Sequence, residues 1–488
     1  MFVDANLSPP AMISADVCIV GGGLAGLALA DELARRGRSV VLCEGGARKL
    51  TADSMSQYMG ECTLSNHAGD SKPHDGYLVA SRLRFLGGSG NHWGGSCTFL
   101  DPSDFETRPW LALSGWPIRK SELRPYYEQA CTMLRIQYPG EDNEAIVSPY
   151  PLYDLGFSDK LTNTFNQRTS FATRRGIHLG KKIAGVQSSS EATLIVNANL
   201  VDMARSSEGG VSRAEFRNYK GQRFAVRARA FVLACGGIEN PRLLLHFSPS
   251  LGIRNDKIGR YFMEHLVFQS AGLIHLTRDR LNTPLYNYPK TFEGYIELRE
   301  AVRAHQGLLS TKLGLQDSNE PSPHVLDALL DPGSDKTTSQ ALPLRILIAE
   351  QAPNPRSRVQ LGNQRDQFGI PRVRLDWRTQ KIDHRSLVMT VRLLAQEFGA
   401  ARRGRFQFDF PPSKMLVNAA GFHHMGTTRM SAGPAEGVVD PDCRVHGLTN
   451  LYVAGSSVFP TSGSAHPTVN LLALAYRLAD HLHADALS

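Results

Sequence analysis

Gly21, Gly23 and Gly26, with Glu44 placed 18 residues after the last of them, have the residue types and spacing to hold a dinucleotide. Gly21 permits a tight turn, Gly23 lets backbone N–H groups approach a pyrophosphate, and Gly26 lets a helix lie close on a strand. Leu24 and Ala25 open that helix, whose N-terminus offers partial positive charge to phosphates. Glu44 can accept hydrogen bonds from an adenosine ribose. Far downstream, His423-His424 and His466 offer a different chemistry: imidazole exchanges a proton near neutral pH, with an unperturbed pKa near ~6.5.

Apolar patterning supplies the elements that must position these groups. Residues 17–20 form a short β-branched run, as in strands buried on both faces. A helical pattern through Leu24, Leu27, Ala28 and Leu33 follows until Gly37 stops it. Residues 39–43 make a second buried strand, which Glu44 closes. Strand, glycines, helix, strand and acid together outweigh the plain alternative of a buried βαβ unit. A second glycine-dense stretch, 87–95, reads GGSGNHWGG. Backbone entropy keeps so many glycines out of helix and strand interiors. A flexible loop is the bland reading, but the bulky His92-Trp93 pair at its centre fits a backbone pressed on a flat ligand better. Short strands are expected at 193–196, 211–216 and 223–226, then a buried run at 230–234 entering Cys235-Gly236-Gly237 and a helix that carries Pro241. Near the C-terminus a buried strand at 451–454 leads through the turn-rich 455–468 into a helix over 469–482.

Composition bounds the function. The chain has 488 residues, 42% hydrophobic and 20% charged, ordinary values for a soluble globular protein with room for two domains. A net charge of +8 raises nucleic acid, but no run of five basic residues occurs, so a mixed solvated surface is expected instead. Seven cysteines without a CxxC pair argue for free thiols in a reducing compartment, taken as the cytoplasm, and against a metal site. No stretch of 18 uninterrupted apolar residues exists, so no membrane span is expected.

Five passages (the fingerprint at 21–26, GGSGNHWGG at 87–95, 101–127, IGRYFMEH at 258–265 and GFHHMGTTRM at 421–430) carry a resemblance to the glucose–methanol–choline (GMC) family of FAD-dependent oxidoreductases. The second motif looks closest to the branch of sugar oxidases and dehydrogenases that includes pyranose oxidase. The resemblance implies an α/β fold. A Rossmann-like FAD-binding domain would comprise 1–265 and 415–488, with an inserted sheet-based substrate-binding domain over 266–414. It implies FAD contacts at Gly21, Gly23, Leu24, Ala25, Gly26, Glu44, Gly88, Ser89, Asn91, His92, Trp93, Gly94, Gly95, Val201, Cys235, Gly236, Gly455, Ser456, His466, Pro467 and Thr468. In pyranose oxidase the histidine at the place of His92 carries the flavin covalently, while other members hold FAD non-covalently. Both forms stay open. The family often has Asp where Gly455 stands.

The family's HxxGT motif puts a catalytic histidine at His423, before Gly426-Thr427, and a second His or Asn about forty residues later, at His466. His424 lacks that spacing, and His265 reads as structural. The implied reaction is oxidation of an alcohol, foremost a secondary hydroxyl of a sugar or glycoside. A histidine would take the proton and flavin N5 the hydride, with oxygen, a quinone or a protein as the final acceptor. The alternatives are a redox-neutral FAD-containing lyase acting on cyanohydrins and an oxidoreductase for a non-sugar alcohol. An NAD-dependent dehydrogenase would explain only the first 44 residues. Smaller expectations are an irregular polar cover at 49–76, Ser121 as a helix N-cap, a hairpin of 350–361 and 370–377, and a lid at 317–340. The oligomeric state is open.

Overall fold

The computed structural model describes residues 1–140, 159–169, 180–276, 292–315, 341–401, 404–408 and 419–486. The expected lid at 317–340 lies outside the described residues.

The first sheet grows from the N-terminal βαβ unit. Its strands run in the order Phe2–Asp4, Ala192–Val196, Val40–Cys43, Met12–Val20, Arg223–Leu233, Val211–Arg217 and Asn199–Arg205, and Leu451–Val453 also pairs with Arg223–Leu233. The six strands Phe2–Asp4, Ala192–Val196, Val40–Cys43, Met12–Val20, Arg223–Leu233 and Leu451–Val453 are joined by parallel pairing, and those at 199–217 pair antiparallel. Helix α1 (Leu24–Arg35) buries every residue from Ala25 to Ala34, because it is packed between this sheet and a C-terminal helix, α3 (Pro467–His481). Leu27, Leu29 and Leu33 are fully buried, each worth roughly 1.5–3 kcal/mol. The acids that share the burial are satisfied: Glu32 accepts from Arg36 Nε at 2.8 Å and Gln129 Nε2 at 2.7 Å. Gly37, at φ +76°, takes the left-handed turn that ends the helix.

One expected break is absent. The runs at 223–226 and 230–234 are a single strand, Arg223–Leu233. Arg227 and Arg229 interrupt the apolar pattern there, but both are exposed. Around them the strand changes partners, from antiparallel pairing with 214–217 to parallel pairing with 451–453.

The second sheet is antiparallel throughout, in the order Gly404–Phe408, Leu266–Leu276, Ala341–Ala349, Thr311–Leu315, Phe292–Leu298, Leu161–Arg168 and Ser96–Cys97, and Ala419–Ala420 also pairs with Leu266–Leu276. A third, smaller sheet corrects two expectations. The cover at 49–76 is not irregular: it holds a short helix, Ala52–Ser56, and two strands, Gly60–Ser65 and Ser71–Pro73. The hairpin consists of Arg358–Arg365 and Pro371–Arg378, since 350–357 is irregular, with a turn at 355–356, rather than strand. It joins Gly60–Ser65 by parallel pairing, with Trp377 opposite Leu64, and stays apart from the second sheet. Ser121 is not a cap either. A 3₁₀ turn, Lys120–Leu123, is closed by Glu122 accepting from the Arg119 N–H, and the helix starts at Arg124 with Pro125 in its first turn.

Candidate active site

The first glycine loop is built from contacts that exclude a side chain. Gly21 has φ +108°, and a Cβ there would stand 2.6 Å from the Ala234 carbonyl oxygen. At Gly26 it would stand 2.0 Å from the Gly21 carbonyl oxygen, so α1 sits directly on the turn below it. Gly23 differs: a Cβ there would meet nothing within 4 Å. It faces a cavity of about 850 Å³, also lined by Leu24 and Ala25 at the α1 N-terminus and by Glu44. The Glu44 carboxylate accepts from the Gly22 N–H at 2.8 Å and the Gly46 N–H at 2.7 Å, one oxygen each, which leaves lone pairs with which it could hold a ribose.

The second glycine motif is fastened to the first. Gly87 N–H donates to the Gly22 carbonyl at 2.8 Å, and a Cβ on Gly88 would lie 3.3 Å from Gly23 Cα. Gly88 to Asn91 form a 3₁₀ turn. Gly88, Ser89, His92, Trp93 and Gly94 line the cavity, with His92 exposed toward it. Asn91 does not: its amide donates to the carbonyls of Leu86 (3.1 Å) and Gly88 (2.9 Å) and closes the turn. Gly95 is also withdrawn, its carbonyl accepting from Thr169 N–H at 3.0 Å. Val201 lies further along its strand, beyond the cavity, and Ala198, Asn199 and Leu200 at the strand's start line the wall instead. Cys235, Gly236, Gly455, Ser456, His466, Pro467 and Thr468 complete this part of the lining. Burial pushes the Cys235 thiol up to about 12, so it stays protonated and donates to the Val20 carbonyl at 3.1 Å.

Several lining groups escaped the sequence. Arg82 donates to Glu239 at 2.8 Å, Arg242 to the other Glu239 oxygen at 2.8 Å and to Asp366 at 2.6 Å. This buried chain joins the stretch before the second glycine motif, the helix α2 (Gly236–Leu251) and the third sheet. Burial alone would raise Glu239, but the three guanidinium groups of Arg242, Arg82 and Arg84 outweigh it and hold the carboxyl down at about 2. The alternating Arg82 and Arg84 just before 87–95 were the available signal.

Histidines make another wall of the same cavity. His423 and His466 both line the cavity, with ring centroids 5.1 Å apart and planes at 74°. His423 Nδ1 lies 2.9 Å from His265 Nδ1. His466 is the N-cap residue of α3, and its Nδ1 lies 3.3 Å from Thr98 Oγ1 and 3.4 Å from Asn166 Nδ2. Burial first, then the neighbouring histidines, lowers the His423 pKa well below the ordinary value. Burial, then His265 and Lys312, does the same to His466. Both rings are therefore free bases at neutral pH. His424 is turned to Tyr77 (Nε2 to Oη, 3.0 Å), and burial drops it to about 3. Beneath the wall sits Glu264, fully buried. It accepts from the backbone N–H of His423 (2.6 Å) and of His265 (2.9 Å) and from Tyr77 Oη (2.6 Å). Burial, partly offset by these donors, raises its carboxyl to about 7. Beyond the histidines the lining turns polar, with Ser96, Arg168, Glu293 and Tyr295, and carries Phe422 as an exposed aromatic face.

These residues fit FAD. One continuous cavity offers an open glycine beside a helix N-terminus, an acid with spare acceptor sites, a second glycine loop, and the N-terminus of α3. Among the described residues no cluster of His, Cys, Asp and Glu could hold a metal, and no helix is long and apolar enough to cross a membrane.

Comparison with known proteins agrees with the geometry. Residues 16–128 match the family model described as FAD dependent oxidoreductase, and 353–475 match that of GMC oxidoreductase. The fructose dehydrogenase large subunit of Gluconobacter japonicus is 24% identical over 97% of this chain and 98% of that protein. The 6'''-hydroxyparomomycin C oxidase of Streptomyces lividus is 26% identical over 96% and 92%. A crystal structure of formate oxidase superposes with TM-score 0.63 at 16% identity, covering 98% of this chain and 99% of that one. With an FAD-dependent model at one end, the GMC oxidoreductase model toward the other and relatives matching along nearly the whole chain, the protein is an FAD-dependent oxidoreductase similar to the GMC family.

Proposed function

We propose that the protein oxidises a hydroxyl group of a sugar or glycoside, with His423 as the base. The observation that carries this is the pair of neutral histidines, 5.1 Å apart, on the wall of the same cavity that the glycine loops line. FAD, when bound, supplies the acceptor for the hydride that leaves the carbinol carbon. The chain's own residues do the rest. His423 Nε2 makes no hydrogen bond among the described residues, so it is free to take the hydroxyl proton. His466 stands where a second imidazole can hydrogen-bond the same oxygen. Such general-base help is worth ~10²–10⁴-fold in rate.

Ser96, Arg168, Glu293 and Tyr295 suit a polyhydroxylated substrate, and Trp93 and Phe422 offer flat surfaces for the C–H face of a sugar ring. The names of the relatives, a fructose dehydrogenase and an aminoglycoside oxidase, support the same class. In this reading 1–265 with 415–488 carry the cofactor and 266–414 the substrate side, to which Ser96–Cys97 and Leu161–Arg168 add strands. Oxygen, a quinone or a protein takes the electrons. Seven unpaired thiols support a reducing, cytoplasmic location.

The test is anaerobic mixing of the yellow protein with hexoses, glycosides, aminoglycosides and simple alcohols. Bleaching by a sugar or glycoside is expected. No bleaching by any of them, together with cleavage of a cyanohydrin, would replace this reading with the lyase.

A further inference from the structure

His265 is wholly buried and touches neither a glycine loop nor the cavity, yet both of its ring nitrogens are engaged. Nε2 lies 2.9 Å from the carbonyl oxygen of Gly463, and Nδ1 lies 2.9 Å from Nδ1 of His423. A carbonyl can only accept, so Nε2 of His265 must carry a proton. Burial lowers the His265 pKa to about 4, so the ring is neutral and its Nδ1 has a bare lone pair. That lone pair must be met by a proton on Nδ1 of His423. A ring with its proton on Nδ1 has none on Nε2. Flipping either ring would put carbon where a partner needs nitrogen. The backbones are held as well, since one Glu264 oxygen, Oε1, accepts the N–H groups of both histidines.

We infer that His265 is a positioning residue that, through the chain Gly463 C=O, His265, His423, locks His423 in the tautomer with a bare Nε2. The inference rests on the reading of His423 as base and says which nitrogen does the work and why. The substrate hydroxyl proton forms its new bond to Nε2, and the Nδ1 proton stays in place against His265. A base free to choose its tautomer would spend part of its time presenting an N–H to the substrate, which cannot take a proton.

The test uses FAD-loaded protein with ¹⁵N-labelled histidine and two-bond ¹H–¹⁵N correlation spectra, with the His423 signals assigned by their loss in His423→Gln. In the wild type, His423 is expected to carry its proton on Nδ1. In His265→Leu, which offers no acceptor, the His423 proton should move at least partly to Nε2. Flavin content should hold while anaerobic flavin reduction slows by roughly 10²-fold. His265→Asn, whose amide oxygen can accept from Nδ1–H, should restore the wild-type tautomer and most of the rate; a merely space-filling role would not distinguish Asn from Leu in this way. A wild-type His423 protonated on Nε2 overturns the inference, and so does a His265→Leu protein that keeps the Nδ1 proton and the wild-type rate. Should His265→Leu not fold, the wild-type spectrum decides alone. If no alcohol reduces the flavin while the Nδ1 proton is present, the proposed reaction falls and the tautomer assignment stands.

Discussion

The two walls of the cavity are made on opposite principles. The glycine wall works by absence: missing side chains at 21, 26 and 88 let backbone come within contact distance of backbone, and no proton has to move there. The histidine wall works by presence, with His423 and His466 on its surface and His265 behind them, brought in from three distant parts of the chain and each ring held by a different partner. A steric wall fails all at once, because overlap of hard cores has no cheap escape. An electrostatic wall fails by degrees, because protons and hydrogen bonds can redistribute.

The largest effect expected from that contrast is at Gly26. Gly26→Val places a Cβ 2.0 Å from the Gly21 carbonyl oxygen, and no soluble folded protein should be recovered. Gly23 is the control on the same loop. Gly23→Phe projects into open cavity, so the protein should fold, with near-normal circular dichroism, but purify without flavin colour. A colourless, folded Gly26→Val protein would erase the distinction between the two glycines.

On the other wall, His423→Ala should keep its flavin and slow anaerobic reduction by ~10²–10⁴-fold. His424→Ala, whose ring faces Tyr77, should reduce within a few-fold of wild type. The reverse order would show that the wrong member of the pair has been assigned. Because burial has already lowered His423, the rise of the reduction rate with pH should lie below ~6.5 rather than near neutrality.

The buried Arg82–Glu239–Arg242–Asp366 chain is a region where the glycine wall depends on charge. Glu239→Gln leaves two guanidinium groups without their shared carboxylate and should lower stability by ~3–5 kcal/mol in denaturant unfolding. Loss of less than about 1 kcal/mol there would mean that the arginines find water instead.

A smaller effect sharpens the histidine side. His424 is neutral in the folded state down to about 3, whereas in the unfolded chain it takes a proton near ~6.5. Its contribution is complete above the higher value and is lost as pH falls through the window between them, at roughly 1.4 kcal/mol per pH unit. Glu264, raised to about 7, works in the other sense and loses stabilising effect as pH rises. The comparison of wild type with His424→Gln isolates the histidine: the variant's unfolding free energy should fall less steeply between pH 6 and 4.

The glycine wall was legible because its information is local. Gly21 to Glu44 is one βαβ unit, and each glycine answers to a contact within it or one strand away. His423 and His466 could be named from motifs, but the groups that set their chemistry could not. Glu264 needs Tyr77 and His423 beside it before its burial means anything. His265 looked structural because its partner is 158 residues away. The third sheet was illegible for the same reason: nothing in Gly60–Ser65 announces a parallel partner at 373–378. Arg227 and Arg229 broke the apolar pattern at the one place where the long strand exchanges neighbours.

The pairing of Leu451–Val453 with Phe231–Leu233 also sets a schedule for the chain's making. The loop that begins at Gly455 and the helix from Pro467 follow that strand, so the cavity lacks a wall until these residues have been made. A chain truncated before residue 450 holds both glycine motifs and Glu44 yet has nothing to close over the flavin. Closure of the FAD site therefore waits on residues made more than 400 positions after the first glycine loop.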